Sequence, residues 1–409
     1  MLPFIQESLS LFKLEPLTGA ISSPELTKFQ KQEWIEGTYQ QKKDEENNQT
    51  FGFRSTFIRV HNQINFSLFK KVSAKGVIVG LNNCLYEENY ITAWNGSDYL
   101  GDEKIDSLST KLTFINEALK RQGKQLLILL APGKGTFYPE YIPMKYRIST
   151  SKKTNYKEIS NDLQEKGLNY IDFNKYFKDL KTKSPYILYP MHGIHWSGYG
   201  MCLAIDTILK RIEQIRGTKI NKCYWDTIKY DKPRYSDNDI EKGLNLLLSL
   251  GKEKLAYPNI KYQNSSDAEK PSILTIGDSF YWGLLNLHFQ DPFSKSSFWY
   301  YNREAYESGS SSVIDVSQID LLKKINETDI IIIISTDANL PKLGWGFIDN
   351  LYNLLSGKNS AFTKDQINSV INSIRTDQKW MEQIKDKAKQ RNITIDSMLV
   401  LDAIWMLKH

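Results

Sequence analysis

One segment of this sequence places a serine where an open α/β sheet would expose it. Residues 273–278 read Ile-Leu-Thr-Ile-Gly-Asp and are followed by Ser279, and a helix is predicted from Phe280 onward. Open α/β sheets bind ligands at the carboxyl ends of their parallel strands, and a backbone N–H at the start of a helix can stabilise an oxyanion. The pattern favours Ser279 as a nucleophile, although a serine that only caps a helix would follow a strand in the same way.

The second chemical signal is a loop that holds two of the five histidines in the chain. Residues 192–200 read His-Gly-Ile-His-Trp-Ser-Gly-Tyr-Gly. A serine nucleophile needs a nearby imidazole to accept its proton. We therefore predict that His195 is the general base for Ser279, with a buried structural histidine as the alternative interpretation.

Strands and helices alternate around these two segments. Short apolar runs predict strands at residues 76–80, 125–130, 169–173, 273–276, 297–301 and 330–334. Apolar residues at helical spacing predict helices that include residues 108–119, 198–212 and 280–287. This alternation predicts an α/β fold with a mostly parallel sheet flanked by helices.

The chain is long enough for one large domain with appendages. We predict a polar entry segment at 1–70, a main domain at 71–357 with an insertion at 217–270, and a helical appendage at 358–409. Within the entry segment, residues 40–50 are predicted to form a loop and residues 57–70 a helix. The insertion lacks clear strand periodicity and is predicted to contain one helix near residues 240–250.

Composition argues against several classes of protein. The net charge is +6, from 53 basic and 47 acidic residues, with no dense basic block between aromatics, so a nucleic-acid partner has no support. Three cysteines without a CxxC spacing predict neither a metal site nor a disulfide framework, and no cofactor motif is present. Aromatic residues make up 12% of the chain, which suits a sugar-binding cleft as well as an ordinary α/β core.

The first residues resemble the end of a hydrophobic leader. Residues 2–12 are too short and too polar for a complete signal peptide. We therefore expect a signal or anchor upstream in the natural gene, and a location in the periplasm or cell envelope.

Together the two chemical segments resemble the signature of SGNH hydrolases, which is GDS at a strand end with a loop of the form D-G-x-H-P-x-x-x-G. Here the histidine loop precedes GDS and Trp196 stands in place of the proline. This permuted order is similar to that of the alginate O-acetyltransferase proteins of the AlgJ and AlgX type. Segments 51–54, 80–86 and 129–143 also resemble that family, and the resemblance covers about residues 30–350.

The resemblance implies an O-acyltransferase that moves an acetyl group, through an acyl-Ser279 intermediate, to an exported polysaccharide or cell-wall glycan. A membrane-bound O-acyltransferase would supply the acyl donor. Two other functions remain open: an SGNH carbohydrate esterase, in which water takes the acyl group, and a catalytically weak glycan-binding or assembly component.

One departure from the family pattern concerns the residue that orients His195. The family places an aspartate three or two residues before the histidine, and here those positions hold His192 and Gly193. A backbone carbonyl could orient His195, or a side chain such as His192 or Asp337 could do so. The third possibility is a weak site with a binding role.

Further candidates line the predicted strand ends. In SGNH enzymes a Gly and an Asn complete the oxyanion hole, and here Asn302 and Asn339 follow two predicted strands, where either could instead cap a turn. Aromatic and basic candidates for a substrate cleft, with core packing or a solvated surface as alternatives, are Trp196, Tyr281, Trp282, Lys134 and Arg303.

Overall fold

The computed structural model describes residues 2–19, 26–148, 151, 153–251, 253–357, 364–391 and 393–408. Its strands are β1 Val77–Val79, β2 Leu85–Glu87, β3 Gln125–Ala131, β4 Tyr170–Asp172, β5 Cys223–Asp231, β6 Leu255–Tyr262, β7 Ser272–Gly277, β8 Lys295–Tyr300, β9 Glu304–Glu307, β10 Val313–Asp315 and β11 Ile330–Thr336.

The helices are named in chain order. They are α1 Leu2–Leu9, α2 Lys31–Ile35, α3 Thr38–Thr50, α4 Arg54–Phe69, α5 Glu88–Asn95, α6 Asp102–Lys120, α7 Lys134–Phe137, α8 Asn155–Glu165, α9 Phe173–Leu180, α10 Gly198–Arg216, α11 Asp239–Gly243, α12 Phe280–Asn286, α13 Leu321–Asn326, α14 Phe347–Leu355, α15 Lys364–Thr376, α16 Gln378–Arg391 and α17 Ile395–Lys408.

The central sheet has seven strands in the order β10-β9-β8-β7-β11-β3-β4. The five strands from β8 to β4 are parallel to one another, and β9 and β10 add an antiparallel edge. Strands β7 and β11 are buried along their whole length because helices cover both faces of the sheet. The predicted α/β class with a mostly parallel sheet is confirmed.

Each face of the sheet has its own apolar core. On one face, Leu127 and Leu129 of β3 belong to the cluster that contains Ile205 and Ile208 of α10. On the other face, alternate β3 residues belong to the cluster that contains Leu112 of α6. This two-sided packing fixes the sheet and so determines where the loops at the carboxyl ends of its strands lie.

Strand β1 was predicted correctly as a strand but lies outside the main sheet. It pairs antiparallel with β2 in a separate two-stranded sheet. The main sheet therefore begins with β3.

The predicted loop at residues 40–50 is wrong, because α3 spans Thr38–Thr50. The segment has no apolar face, but its Gln, Lys and Glu residues have good helix propensity. Two ion pairs support it, Lys42 with Glu33 at 2.6 Å and Lys43 with Glu46 at 2.7 Å.

The insertion at 217–270 also differs from its prediction. Strands β5 and β6 form an antiparallel hairpin, and its pairing shifts between Trp225 and Ile228. Such a bulge breaks the period-two pattern by which a strand is recognised. The predicted helix near 240–250 is reduced to α11, which ends at Gly243.

The last three helices pack on one another. Ile374 of α15, Ile384 of α16 and Met398 of α17 belong to a separate apolar cluster. The segment predicted to be helical, 358–409, contains α15, α16 and α17, and its first residues, 358–363, lie outside the described residues. The proposed domain boundaries remain predictions. Within the described part of the chain, none of the helices combines the length and apolarity that a bilayer crossing requires.

Candidate active site

Ser279 follows the carboxyl end of β7 and caps the start of α12. A Cβ at Gly277 would lie 2.3 Å from Ile334 Cγ2, so only glycine lets β7 and β11 approach this closely. The buried Asp278 accepts hydrogen bonds from the Thr336 N–H and the Asn339 amide at 2.9 and 3.0 Å. The Gly-Asp-Ser turn is therefore fastened to the end of β11.

His195 reaches Ser279 from 84 positions earlier in the chain. Its Nε2 atom lies 2.9 Å from Ser279 Oγ, which is hydrogen-bonding distance. The imidazole also packs on the Phe280 ring, with 4.9 Å between ring centroids. The two residues that the sequence singled out thus meet at the sheet edge, in the arrangement that a serine and its general base require.

The residue that orients His195 is Asp239. Asp239 Oδ2 lies 2.9 Å from His195 Nδ1, and Asp239 Oδ1 accepts a hydrogen bond from the Ile194 N–H, also at 2.9 Å. The carboxylate therefore holds both the imidazole and the loop that carries it. Ser279, His195 and Asp239 form a continuous chain of hydrogen-bonding contacts with the geometry of a catalytic triad.

Neither His192 nor Asp337 takes that place, so both suggestions for the orienting side chain are corrected. His192 is buried under the insertion, with Nδ1 3.7 Å from Glu241 Oε2, and burial lowers its pKa. Asp337 lies against Gly133 and accepts hydrogen bonds from Asn174 and Thr136. Burial raises the pKa of Asp337 to about 7.

Sequence reasoning missed Asp239 for an identifiable reason. Residues 237–241 read Asp-Asn-Asp-Ile-Glu, so three acids alternate within one short segment of the insertion. Nothing in their spacing distinguishes the one that faces His195. An acid at the start of a short helix in the insertion was the only available signal.

The two oxyanion candidates have other partners. The amide hydrogens of Asn339 are taken up by Asp278 Oδ2 at 3.0 Å and Thr336 Oγ1 at 3.2 Å. The Asn302 amide donates to the Trp345 carbonyl at 3.1 Å. This corrects the prediction for Asn339, because both hydrogens of its amide are used to fasten the Gly-Asp-Ser turn.

Tyr301 is a site residue to which the sequence gave no catalytic role. Burial raises the pKa of its hydroxyl, and a side-chain hydrogen bond with Ser279 opposes that rise. Tyr301, Asn302 and Trp345 all have left-handed backbones, with φ of 49°, 53° and 45°. Such strain in residues other than glycine is concentrated at functional sites, and here Tyr301 contacts Ser279.

The predicted substrate-cleft residues divide into two groups. Trp196, Tyr281 and Lys134 are fully buried, so the prediction that they line a cleft is wrong. Trp282 is half-buried and packs edge-on against Phe298, and Arg303 is exposed. Only these last two remain available to a ligand.

Lys134 has a structural position instead. Its ammonium group donates to the carbonyls of Met191, at 2.9 Å, and Gly193. Both carbonyls belong to the loop that carries His195, so the buried ammonium group stabilises the position of that loop. Burial lowers the pKa of Lys134.

No metal centre is found in the part of the chain that the structure describes. There, no group of three or more His, Cys, Asp or Glu side chains could hold a metal ion. Cys84, Cys202 and Cys223 are all buried, free thiols.

Comparison with known protein families matches one segment of the chain. Residues 77–227 match the sequence model of the family described as "SGNH hydrolase-like domain, acetyltransferase AlgX". This segment, which is less than half of the chain, is therefore similar to the SGNH hydrolase-like domain of AlgX-type acetyltransferases. The match confirms the predicted resemblance and, at the level of the family, the predicted enzyme class. It includes His195 but ends before Asp239 and Ser279, whose roles depend on the geometry described above.

Solved structures add weak likenesses. The O-acetyltransferase domain of Pseudomonas putida AlgJ is 14% identical, with 68% of this chain and 99% of that chain covered and a TM-score of 0.44. Pseudomonas aeruginosa AlgX is 14% identical, over 68% and 67%, with a TM-score of 0.42. Bacillus cereus PatB1 is 15% identical, over 58% and 90%, with a TM-score of 0.37. No curated protein matches the sequence.

Proposed function

We propose that this protein is an O-acyltransferase that places an acetyl group on a hydroxyl of an exported polysaccharide or cell-wall glycan. The observation that carries the proposal is the contact chain Ser279–His195–Asp239 at the carboxyl edge of the sheet. The match to a family of acetyltransferases supports the choice of reaction.

In the first step, Ser279 Oγ attacks the carbonyl carbon of the acyl donor while His195 Nε2 takes the hydroxyl proton. The tetrahedral intermediate collapses, the bond to the leaving group breaks, and His195 returns the proton to that group. Asp239 keeps the Nδ1–H tautomer in place and stabilises the imidazolium that forms. The product is an acyl-Ser279 ester.

In the second step, His195 takes a proton from a sugar hydroxyl, whose oxygen attacks the ester carbonyl. Ser279 leaves and receives the proton from His195, and the sugar ester is released. Water in place of the sugar would give an esterase. The half-buried Trp282 and the exposed Arg303 are the residues that we propose for contact with the glycan.

A binding or assembly component without activity was the third possibility raised by the sequence. That possibility drew its support from the missing aspartate in the histidine loop. Asp239 supplies a carboxylate to His195 from the insertion, which favours an active site over a scaffold. A membrane-bound O-acyltransferase as donor, and a location in the periplasm or cell envelope, belong to the same proposal.

The test uses p-nitrophenyl acetate as acyl donor. We expect release of p-nitrophenol that Ser279→Ala abolishes and Ser310→Ala, a change of an exposed serine, leaves unaltered. Transfer of acetyl to added soluble glycans, followed by mass spectrometry, would support the transferase. Release without any acetylated glycan across a panel would favour the esterase, and equal release by Ser279→Ala would contradict both.

A further inference from the structure

Helix α4 presents an apolar stripe to solvent. Phe57, Ile64 and Leu68 are 55%, 51% and 70% exposed and recur at helical spacing along one side of the helix. The opposite side carries Asn62 and Phe66, which are buried against the rest of the protein. A helix normally turns its apolar side inward, so this outward stripe marks an interaction surface.

Helix α1 adds further exposed apolar side chains next to α4. Leu2, Phe4 and Leu9 are each about two-thirds exposed, at 65%, 66% and 65%. The rings of Phe4 and Phe51 lie 6.3 Å apart, and those of Phe51 and Phe57 lie 6.2 Å apart. Aromatic contacts therefore join α1 to α4, and the outward apolar side chains of these two helices are called the α1–α4 face below.

The charged residues on α4 and immediately after it are all basic. Residues 51–75 contain Arg54, Arg59, Lys70, Lys71 and Lys75 and no aspartate or glutamate. The three lysines are exposed beyond the end of α4. The only acid within α1 is Glu7, which accepts a hydrogen bond from Thr50.

We propose that the α1–α4 face docks on the surface of an anionic lipid bilayer, with α4 lying in the plane of the interface. A helix with aromatic and aliphatic residues on one side and basic residues beside them is suited to that position. The basic residues beside this face match anionic headgroups, whereas a second copy of the chain would present the same positive charge.

The docking surface is linked to the candidate active site through the insertion. The Asn62 amide donates to the Leu244 carbonyl at 2.9 Å, and the Gln63 side-chain oxygen accepts from the Leu248 N–H at 2.9 Å. Residues 244–248 directly follow α11, whose first residue is Asp239. Docking would therefore fix the position of Ser279 relative to the bilayer, although the docking proposal itself does not depend on the acyl-transfer proposal.

The experiment is co-sedimentation of the full chain with vesicles of phosphatidylglycerol and phosphatidylethanolamine, compared with phosphatidylcholine alone. We expect binding to the anionic vesicles that weakens as salt is added. The triple variant Phe57→Ser, Ile64→Ser, Leu68→Ser should bind at least about tenfold more weakly, because it removes most of the apolar area. Lys70→Glu with Lys71→Glu should also weaken binding, by about fivefold or more for each lysine.

The matched control is Val313→Ser with Leu322→Ser, which removes two side chains of similar exposure, 53% and 51%, outside the face. It should bind as the unchanged protein does, and all variants should keep their melting temperature. Equal binding to neutral and anionic vesicles, or no binding by the folded protein, would overturn the proposal. So would self-association in analytical ultracentrifugation that the triple variant abolishes.

Discussion

Asp239 and Asp278 are two carboxylates with different tasks beside the same serine. Asp239 contacts His195 Nδ1 and can stabilise positive charge on the imidazole. Asp278 directly precedes Ser279 but accepts hydrogen bonds from Thr336 and Asn339, so it holds the turn and not the base. At the scale of single residues, proximity in sequence to the nucleophile does not assign a catalytic role.

The first residue-scale prediction concerns Asp239→Asn. An amide in this position favours the wrong imidazole tautomer and leaves the imidazolium without its counter-charge, so kcat/KM for p-nitrophenyl acetate should fall by about 10²- to 10⁴-fold. Asp226→Asn, a change of an exposed carboxylate on β5, is the matched control and should retain full activity. Activity of Asp239→Asn within a factor of about three of the unchanged protein would remove Asp239 from the mechanism.

Lys134→Met tests whether the buried ammonium group stabilises the loop that carries His195. The methionine fills the space but leaves the carbonyls of Met191 and Gly193 without their donor, which should lower the free energy of unfolding by about 1–3 kcal/mol. Urea denaturation measures that loss, with the exposed Lys145→Met as control. A Lys134→Met protein of unchanged stability would show that the ammonium group does not fasten the loop.

Asp337 predicts a pH dependence of stability. Its pKa is raised to about 7 in the folded protein from an ordinary value of 3.8. Between these pH values the folded protein keeps a proton that the unfolded chain loses, so the free energy of unfolding falls as the pH rises through this range. Below the range both states are protonated, and above it the full cost of the buried charge is present.

Asp337→Asn should remove that dependence. Urea denaturation at about pH 4 and about pH 8 should show a decline for the unchanged protein that is smaller in the variant. Parallel pH profiles for the two proteins would mean that Asp337 does not titrate in this range.

At the scale of elements, the position of a strand is predicted most accurately where its apolar pattern is continuous. Strands β3 and β11 are nearly continuous apolar runs, and β7 carries apolar residues on both of its faces, since both faces of the sheet are covered. The positions of these strands could therefore be predicted closely. The bulge in β5 and the polar surface of α3 break the patterns that would have revealed those elements.

The residues of the candidate site also divide into those that lie in a recognisable sequence pattern and those that do not. Ser279 and His195 each lie in a local pattern that can be recognised along the chain, and their meeting was predictable. Asp239 and the buried position of Lys134 depend on how the insertion and the histidine loop fold over the sheet. Contacts between distant segments leave no trace in local spacing, which is why these two positions could not be predicted.

Gly277→Ala tests the junction of β7 with β11. The added methyl group would meet Ile334 Cγ2 at 2.3 Å within a buried sheet, so we expect a loss of about 1–3 kcal/mol in stability and a displaced Ser279. Gly243→Ala, where the methyl group meets nothing within 4 Å, is the matched control. Calorimetry and the p-nitrophenyl acetate assay should both distinguish the two variants, and equal behaviour would contradict the close packing.

At the scale of the whole molecule, the insertion lies between the candidate active site and helix α4. The insertion carries Asp239 to His195, and its residues 244–248 rest on the inner side of α4. The α1–α4 face lies on the outer side of that helix. Because the same segment contacts both, a bilayer bound at the face would hold the candidate site at a fixed orientation to the membrane.

The central claim is that Ser279 carries the acyl group, and mass spectrometry of the acylated protein tests it most directly. The protein would be incubated with p-nitrophenyl acetate, quenched in acid, digested and mapped. We predict one acetyl group on Ser279 of the unchanged protein in the absence of glycan, which is discharged when a suitable acceptor glycan is added and which forms far more slowly in Asp239→Asn. Turnover of the donor with Ser279 unmodified, or unchanged turnover by Ser279→Ala, would contradict it.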